Sequence, residues 1–314
     1  MNKFAIFGDN KRYYTQNRFL RETFGEKVVK LSLNAGFTCP NRDGTCGTGG
    51  CIYCSPQLSG DFSGRPGLSV TEQMKEQITL LSEKWKSSSY IAYFQAGTNT
   101  YAPVEKLSAL FGEALAFPGT KGLTVATRAD CLPDDVLDLL GEISGRTFLT
   151  VELGLQTIHD KTAELINRGH TFSTFLKSYE KLKNMGIRTC IHMINGLPGE
   201  TREMMLETAG KVSELHPGCI KIHMLHITGG TKLSEMYRAA PFPLLSKEEY
   251  ISLVCDQIEL TAPDIVIERV TGDGDKRILE APLWTCDKRS VLNGIDKELK
   301  RRGSCQGKKS RASG

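Results

Sequence analysis

Short β-branched runs alternate with helical periodicity along most of the chain, and this alternation constrains the fold more than any other feature. The candidate strands before residue 230 are VVKLSLN (28–34), YIAYFQ (90–95), GLTVAT (122–127), TFLTVELGL (147–155), IRTCIHMI (187–194) and CIKIHML (219–225). Six strand and helix units predict an α/β fold with a parallel sheet and right-handed crossovers. Periodicity alone allows either a partial barrel or an open doubly wound sheet.

Helices are predicted between these strands, where apolar residues recur at three- and four-residue spacing. The first such series is Val70, Met74, Ile78, Leu81 and Trp85. Ser69 with Glu72 and Ser246 with Glu249 have the capping-box spacing that begins a helix.

The chain divides, on this pattern, into a core and three flanking segments. We expect an N-terminal extension (1–27), a core (28–230), a C-terminal extension packed on the core (231–296) and a basic tail (297–314). A helix near 246–261, a strand near 265–270 and a helix near 288–302 are predicted after the core.

Charge and hydropathy exclude a membrane protein and favour the cytoplasm. No apolar run approaches the roughly 18 residues that a membrane span needs, and the N-terminus lacks the apolar region of a secretory signal. The net charge is +4, and the tail at 297–314 holds seven Lys or Arg and one Glu. Such a tail is either a phosphate-binding arm or a solvated end.

Four of the ten cysteines fall together, at Cys39, Cys46, Cys51 and Cys54, directly after the first predicted strand. Loops at the carboxyl ends of parallel strands build active sites in α/β barrels, so the position suits chemistry. Two thiolates spaced as in CxxC can bind one metal centre, and a third from upstream completes an iron–sulfur site. A structural zinc site that uses all four thiols is the alternative.

The segment CPNRDGTCGTGGCIYC (39–54) resembles the radical S-adenosylmethionine (SAM) proteins akin to the elongator catalytic subunit, in the YhcC/YtqA branch. The motifs YFQAGTNTYAP (93–103), TRADCL (127–132), VELGLQT (151–157), INGLPGET (194–201) and KIHMLHITGGTKL (221–233) carry the same resemblance in the same order. It implies a partial (β/α)6 radical-SAM barrel with a C-terminal extension, and SAM and a [4Fe–4S] cluster as cofactors.

The resemblance assigns the cluster to Cys39, Cys51 and Cys54, which leaves the fourth iron free for SAM. Cys46 stands where relatives are expected to have Lys. Because Cys46, Cys51 and Cys54 come close to the common C-x3-C-x2-C spacing, Cys46 is an alternative first ligand. We assign Cys39 and treat Cys46 as a bystander.

Further SAM contacts are implied at the ends of the second, fourth and fifth strands. The implied residues are Gln95, Ala96, Gly97, Glu152, Gln156 and Gly196. For Glu152 the alternative is an interior carboxylate paired with a neighbouring side chain, since unpaired buried charge is costly.

Three residues are candidates for catalysis or substrate binding. Arg128 follows the third strand and could clamp the SAM carboxylate or a substrate phosphate, while Lys221 and His223 share one face of their strand. The resemblance implies a tRNA substrate, with conversion of a wobble 5-carboxymethylaminomethyl(-2-thio)uridine to the 5-aminomethyl form, and an external electron donor such as flavodoxin or ferredoxin. The alternatives are radical-SAM chemistry on a small metabolite or peptide, and a zinc-stapled RNA-binding protein without catalysis.

Overall fold

The computed structural model describes residues 9–58, 60, 62–83 and 86–310. The strands are β1 (Val28–Leu33), β2 (Ser89–Phe94), β3 (Thr120–Thr127), β4 (Phe148–Gln156), β5 (Arg188–Asn195), β6 (Cys219–Met224), β7 (Ile227–Thr228), β8 (Val266–Arg269) and β9 (Leu279–Ala281). The helices are α1 (Gln16–Phe24), α2 (Val70–Ser82), α3 (Val104–Ala116), α4 (Asp134–Ser144), α5 (Asp160–Leu165), α6 (Phe172–Asn184), α7 (Arg202–Leu215), α8 (Lys232–Ala239), α9 (Lys247–Leu260) and α10 (Lys288–Arg301), with a 3-10 helix at Leu283–Cys286.

Seven strands form the main sheet, in the order β1-β2-β3-β4-β5-β6-β8. The pairings β1–β2, β2–β3, β3–β4 and β6–β8 are parallel, as the alternation of strands and helices predicts. The sheet has one strand more than the six predicted strand and helix units, because β8, which lies in the predicted C-terminal extension, hydrogen-bonds to β6. The pairing of Cys219 with Val266 starts this ladder.

The two predicted capping boxes are present and fix where α2 and α9 begin. Ser69 accepts from the backbone N–H of Glu72, and the Glu72 carboxylate accepts from the backbone N–H of Ser69. Ser246 and Glu249 make the same reciprocal pair. Both pairs satisfy N–H groups that the first helical turn leaves without a partner. Trp85, which the predicted first helix included, lies outside the described residues.

The chain separates into two compact units, and one of them comprises residues 20–154 and 169–190. It contains β1 to β3 and most of β4, and its interior is built from strand residues packed on α2 and α3. Leu31, Leu33, Phe94 and Phe111 are fully buried, and the rings of Phe94 and Phe111 meet edge to face at 4.9 Å. This packing holds the carboxyl ends of β1, β2 and β3, and the cysteine loop follows β1 while Arg128 follows β3.

The other unit comprises the described residues of 1–19, together with 155–168 and 191–310. Its interior lies under α9 and α10, where Leu253, Ile258, Ile295 and Leu299 are fully buried. The strands β6 and β8 and the antiparallel pair of β7 with β9 belong to this unit.

The predicted basic tail is not a solvated end over the residues that the structure describes. Residues 297–301 are the last turn of α10, and residues 302–310 fold back against the same unit. Gln306 is buried, donates to the carbonyl oxygens of Ala262 and Ile265 at 2.7 Å each, and accepts from the backbone N–H of Tyr14 at 2.8 Å. Arg311 lies outside the described residues.

Acidic neighbours account for part of the positive charge of this segment. Arg302 donates to Glu298 at 2.7 Å and to Asp256 at 2.8 Å, and Lys309 pairs with Asp256 and Glu259. These cations therefore hold the segment in place and are not available as a phosphate-binding arm.

None of the helices in the described part of the chain is long and apolar enough to cross a membrane.

Replacing Gln306 tests whether this C-terminal segment stabilises the fold. Gln306→Ala leaves two buried carbonyl oxygens and one N–H without their partner, so we expect a loss of about 2–4 kcal/mol in the free energy of unfolding. The measurement is urea denaturation. The exposed Lys308→Ala is the control and should stay within about 0.5 kcal/mol of the parent; equal stability of the two variants would contradict the assignment.

Candidate functional site

The cysteine loop, residues 34–58, follows β1 and turns back on itself through backbone hydrogen bonds. The N–H groups of Arg42 and Asp43 donate to the carbonyl oxygen of Cys39, at 2.8 and 3.2 Å, and Cys54 N–H donates to Cys51 at 3.0 Å. Gly50 N–H donates to Asn41 at 2.8 Å. The segment from Cys39 to Asn41 and the turn of Cys51 and Cys54 are thereby connected within the loop.

Arg42 clamps the two parts of the loop, and sequence reasoning did not single it out. Its guanidinium donates to the carbonyl oxygens of Cys54 at 3.1 Å, Ser55 at 2.6 Å and Pro56 at 3.2 Å. A planar guanidinium presents several N–H donors in a fixed fork, and a lysine ammonium cannot reproduce that arrangement. Arg42 therefore sets the position of the CxxC turn relative to Cys39.

Two glycines of the loop are required because side chains pack against them. A Cβ on Gly50, whose φ is +74°, would lie 2.8 Å from Nε of Arg42, and a Cβ on Gly47 would lie 2.2 Å from Oδ1 of Asn41. The close approach at these glycines is to the two side chains that order the loop.

The thiols of the loop differ in environment. A hydrogen bond from Cys54 lowers the pKa of Cys51 to about 6 despite its burial, and Asn41 Nδ2 lies 3.8 Å from the Cys51 sulfur. The same hydrogen bond holds the pKa of Cys54 well above its usual value. Cys46 is exposed. The hydrogen bond between these two thiols therefore favours one thiolate in the pair, the form in which cysteine binds metals.

The segment Gln95-Ala96-Gly97, which follows β2, lies against the cysteine loop. Gly97 N–H donates to Leu58 at 3.0 Å, and the next residue, Thr98, donates to Thr38 at 3.0 Å. Gly97 has a φ of +77°, and a Cβ there would lie 2.3 Å from the carbonyl oxygen of Phe37. Only glycine fits this approach to the chain that leads into Cys39.

Arg128 also reaches the cysteine loop, from the end of β3. It binds Asp130 through two hydrogen bonds, Nε to Oδ1 at 2.9 Å and Nη2 to Oδ2 at 2.7 Å. Nη2 lies 3.8 Å from the sulfur of Cys46. The arginine is largely covered, with 11% of its side chain exposed, and its charge contributes to lowering the pKa of Cys51.

Glu152 has protein partners in the interior of its unit. Lys30 Nζ lies 2.8 Å from Oε1, and the hydroxyl of Tyr93 donates to Oε2 at 2.7 Å. The ammonium of Lys30 also lies 4.3 Å from the centre of the Tyr93 ring. Glu152 is therefore an interior carboxylate paired with neighbouring side chains, one of the two alternatives that the sequence allows. The contact of Glu152 with SAM stays a prediction.

The remaining candidates lie in the other unit. Gln156 adopts a φ of +61°, and the flanking carbonyl oxygens of Leu155 and Thr157 both accept from the buried Arg168. Arg168 was missed by sequence reasoning, because no motif distinguishes it. Gly196 follows β5 with a φ of +87°.

Lys221 and His223 lie on β6. Lys221 is buried and pairs with Glu268 at 3.2 Å, and the His223 ring lies 5.3 Å from that of His192.

His226 follows β6 and packs between two glycines of the loop after β8. A Cβ on Gly272 would lie 2.6 Å from Cε1 of the imidazole, and a Cβ on Gly274 would lie 2.9 Å from Cδ2. Burial lowers the pKa of His226 to about 4, an effect that nearby Asp273 opposes. The imidazole is therefore neutral near pH 7.

Two family models match the chain, and one of the matched ranges includes the cysteine loop. The model of the Radical SAM superfamily matches residues 39–212, more than half of the chain, and that of the Radical_SAM C-terminal domain matches residues 217–301. The chain belongs to the radical SAM superfamily. A [4Fe–4S] cluster and SAM are the cofactors of this superfamily, and in its enzymes the protein binds and orients them.

Curated relatives show to which branch of the superfamily the chain is most similar. The chain is 49% identical over 307 residues to YtqA of Bacillus subtilis, covering 98% of this chain and 95% of YtqA. It is 37% identical over 285 residues to YhcC of Escherichia coli, covering 90% and 91%. A shorter stretch of 107 residues, 33% of this chain, is 32% identical to 20% of a tRNA uridine(34) acetyltransferase of Methanocaldococcus jannaschii. The resemblance to the YhcC/YtqA branch is confirmed.

Among solved structures, an Elp3 of Methanocaldococcus infernus superposes with a TM-score of 0.67 at 18% identity, covering 89% of this chain and 64% of that chain. The predicted fold class, an α/β radical-SAM barrel, is confirmed by this likeness.

Replacing His226 tests its burial. Because the folded state favours the neutral imidazole, the unfolded chain protonates first as the pH falls, and stability is lost from about pH 6.5 towards the folded pKa of about 4. We expect this residue to cost the parent about 2 kcal/mol between pH 7 and about pH 4.5. Urea denaturation at the two pH values should show a smaller loss in His226→Gln. The exposed His216→Gln should follow the parent, and an unchanged loss in His226→Gln would contradict the burial.

Proposed function

We propose that Cys39, Cys51 and Cys54 hold a [4Fe–4S] cluster with one iron open to SAM. The cluster and SAM together would supply a 5′-deoxyadenosyl radical, and the chain would bind, orient and shield the reactants. The donor set fits, because the thiols of Cys51 and Cys54 share a hydrogen bond, Cys39 is near enough to raise the pKa of Cys54, and Arg42 binds the carbonyl oxygens of Cys54 and Ser55. Arg128 supplies positive charge next to the loop, which stabilises the thiolates.

Six residues are proposed to contact SAM. Gln95, Ala96 and Gly97 have the best support, since their backbone lies directly against the cysteine loop. Glu152 would act through its carboxylate, with Lys30 and Tyr93 fixing its orientation. Gln156 and Gly196 would act at the ends of their strands, and Arg168 would hold the backbone on either side of Gln156.

The substrate that we propose is a tRNA wobble uridine carrying a 5-carboxymethylaminomethyl group, with or without 2-thiolation. The observation that carries this proposal is the sequence match to a tRNA uridine(34) acetyltransferase. The 5′-deoxyadenosyl radical would take a hydrogen atom from the glycine-like carbon and leave as 5′-deoxyadenosine. The substrate radical would then lose its N–H proton to solvent and one electron to the oxidised electron carrier, which gives an imine, and water added to this imine would break the C–N bond. The products would be the 5-aminomethyl uridine and glyoxylate. An electron carrier such as flavodoxin or ferredoxin would supply the reducing electron.

The outer face of α10 suits the backbone of such an RNA. Arg289, Lys297 and Lys300 are exposed at helical spacing, and none of them has an acidic partner among residues 9–58, 60, 62–83 and 86–310. Two acidic residues of the helix pair with other cations: Asp296 with Lys11, and Glu298 with Arg301. An unneutralised row of cations is what a sequence-independent phosphate contact needs.

We further propose that residues 28–230 form the catalytic core, with 1–27 and 231–296 as extensions on it. The cytoplasm suits the ten free cysteines of the chain, because thiols stay reduced in that compartment.

Conversion of tRNA tests the proposed reaction. Purified protein, reconstituted anaerobically and supplied with SAM and reductant, should convert the carboxymethylaminomethyl uridine of tRNA from a deletion strain to the aminomethyl form. The measurement is mass spectrometry of the digested nucleosides, with unreduced enzyme as the control. Unchanged tRNA beside active SAM cleavage would overturn the substrate and favour a small metabolite or peptide.

Single replacements test the cluster ligands. Cys39→Ala, Cys51→Ala and Cys54→Ala should each lose most of the bound iron and the EPR signal of the reduced cluster, because a thiolate ligand is missing. Cys46→Ala is the matched control in the same loop and should keep both. If only the Cys46 variant lost its cluster, the choice of Cys39 as first ligand would be wrong.

A further inference from the structure

The proposed substrate carries a carboxylate, and three cations on strands or directly after them are candidates to bind it: Arg128, Lys221 and Arg269. The structure separates them by exposure. Arg128 is 11% exposed and bound through two hydrogen bonds to Asp130, and Lys221 is 4% exposed against Glu268. Arg269 is 39% exposed. Of these three cations, only Arg269 presents its charge to solvent, where an incoming anion could reach it.

Arg269 belongs to a cluster with Asp273, Lys288 and His226, all within one unit. Arg269 Nη1 lies 3.1 Å from Asp273 Oδ2, and the ammonium of Lys288 binds the other carboxylate oxygen. Arg269 and Lys288 therefore share the carboxylate of Asp273, which neutralises only one of their two positive charges. No second acidic side chain within the described ranges pairs with Arg269 or Lys288.

The position of the cluster in the fold suits substrate binding. Strands β6 and β8 are parallel neighbours, and the cluster is assembled from residues at or after their carboxyl ends. Ligands of open α/β sheets bind outside that edge. The loop after β8 runs close to the imidazole of His226, because a Cβ on Gly272 or Gly274 would collide with the ring.

His226 adds a polar atom without a partner. Its Nε2 is buried and makes no hydrogen bond to any residue that the structure describes. A buried polar atom costs free energy unless something binds it. Asp273 and Lys288 both act on this ring electrostatically, and the ring packs against Gly272 and Gly274, next to Asp273 in the chain.

We propose that His226, Arg269 and Lys288 form the binding site for the carboxylate of the substrate's carboxymethylaminomethyl group, an inference that rests on the function proposed above. Asp273 holds the two cations in position, and the guanidinium and ammonium donate to the carboxylate oxygens. The same site would reject a substrate whose carboxylate is esterified, because the cations then lose their counter-charge.

Binding of two anticodon stem–loop RNAs tests this site without turnover. One RNA carries the carboxymethylaminomethyl uridine and the other its methyl ester, and affinities are measured by fluorescence anisotropy with reconstituted full-length protein in the absence of reductant. The parent should bind the acid roughly tenfold or more tightly than the ester. Arg269→Gln and Lys288→Gln should reduce that ratio to near one, and Arg269→Lys should keep part of it.

Arg277→Gln is the matched control. Arg277 is an exposed arginine of the same connection after β8, paired with Asp275, and its loss should leave the ratio at the parent value. A parent that binds acid and ester equally, or Arg269 and Lys288 variants that still discriminate, would overturn the site. Failure of the reaction itself is distinguishable, since it appears as unconverted tRNA while the binding ratio is unaffected.

Discussion

The hydrogen bonds from Arg42 to the carbonyl oxygens of residues 54–56 are the interaction on which the candidate site depends. They join the segment that carries Cys39 to the turn that carries Cys51 and Cys54. Without Arg42, these three carbonyl oxygens of the loop would lose the donor that its guanidinium supplies. The glycine at position 50 is needed because the same arginine packs on it. One side chain thus explains both the order of the loop and part of its glycine content.

Around this loop the fold supplies support from neighbouring strand ends. The segment after β2 hydrogen-bonds to Thr38 and Leu58, and Arg128 after β3 brings its charge to the thiols. A parallel sheet makes this possible because the carboxyl ends of adjacent strands lie at one edge. Charged side chains around the sheet are paired within the protein, as Glu152 is with Lys30, which lets them sit at low exposure.

The sequence predicts much of this from short-range patterns. Strand alternation predicted the first six strands to within one or two residues of their ends, and the spacing of Ser246 and Glu249 predicted the start of α9. It did not predict that β8 joins the sheet, since a four-residue strand gives no signal of its partner. Arg42 and Arg168 were missed because their carbonyl acceptors depend on tertiary structure. The tail was misjudged because its acidic partners, Asp256 and Glu259, lie far away in the chain.

The most direct test of the account is 5′-deoxyadenosine formation by the anaerobically reconstituted protein, measured with and without tRNA. We expect a brown, air-sensitive protein that cleaves SAM when reduced, and faster cleavage when tRNA with the carboxymethylaminomethyl uridine is added. A colourless protein that contains zinc and forms no 5′-deoxyadenosine would contradict the account.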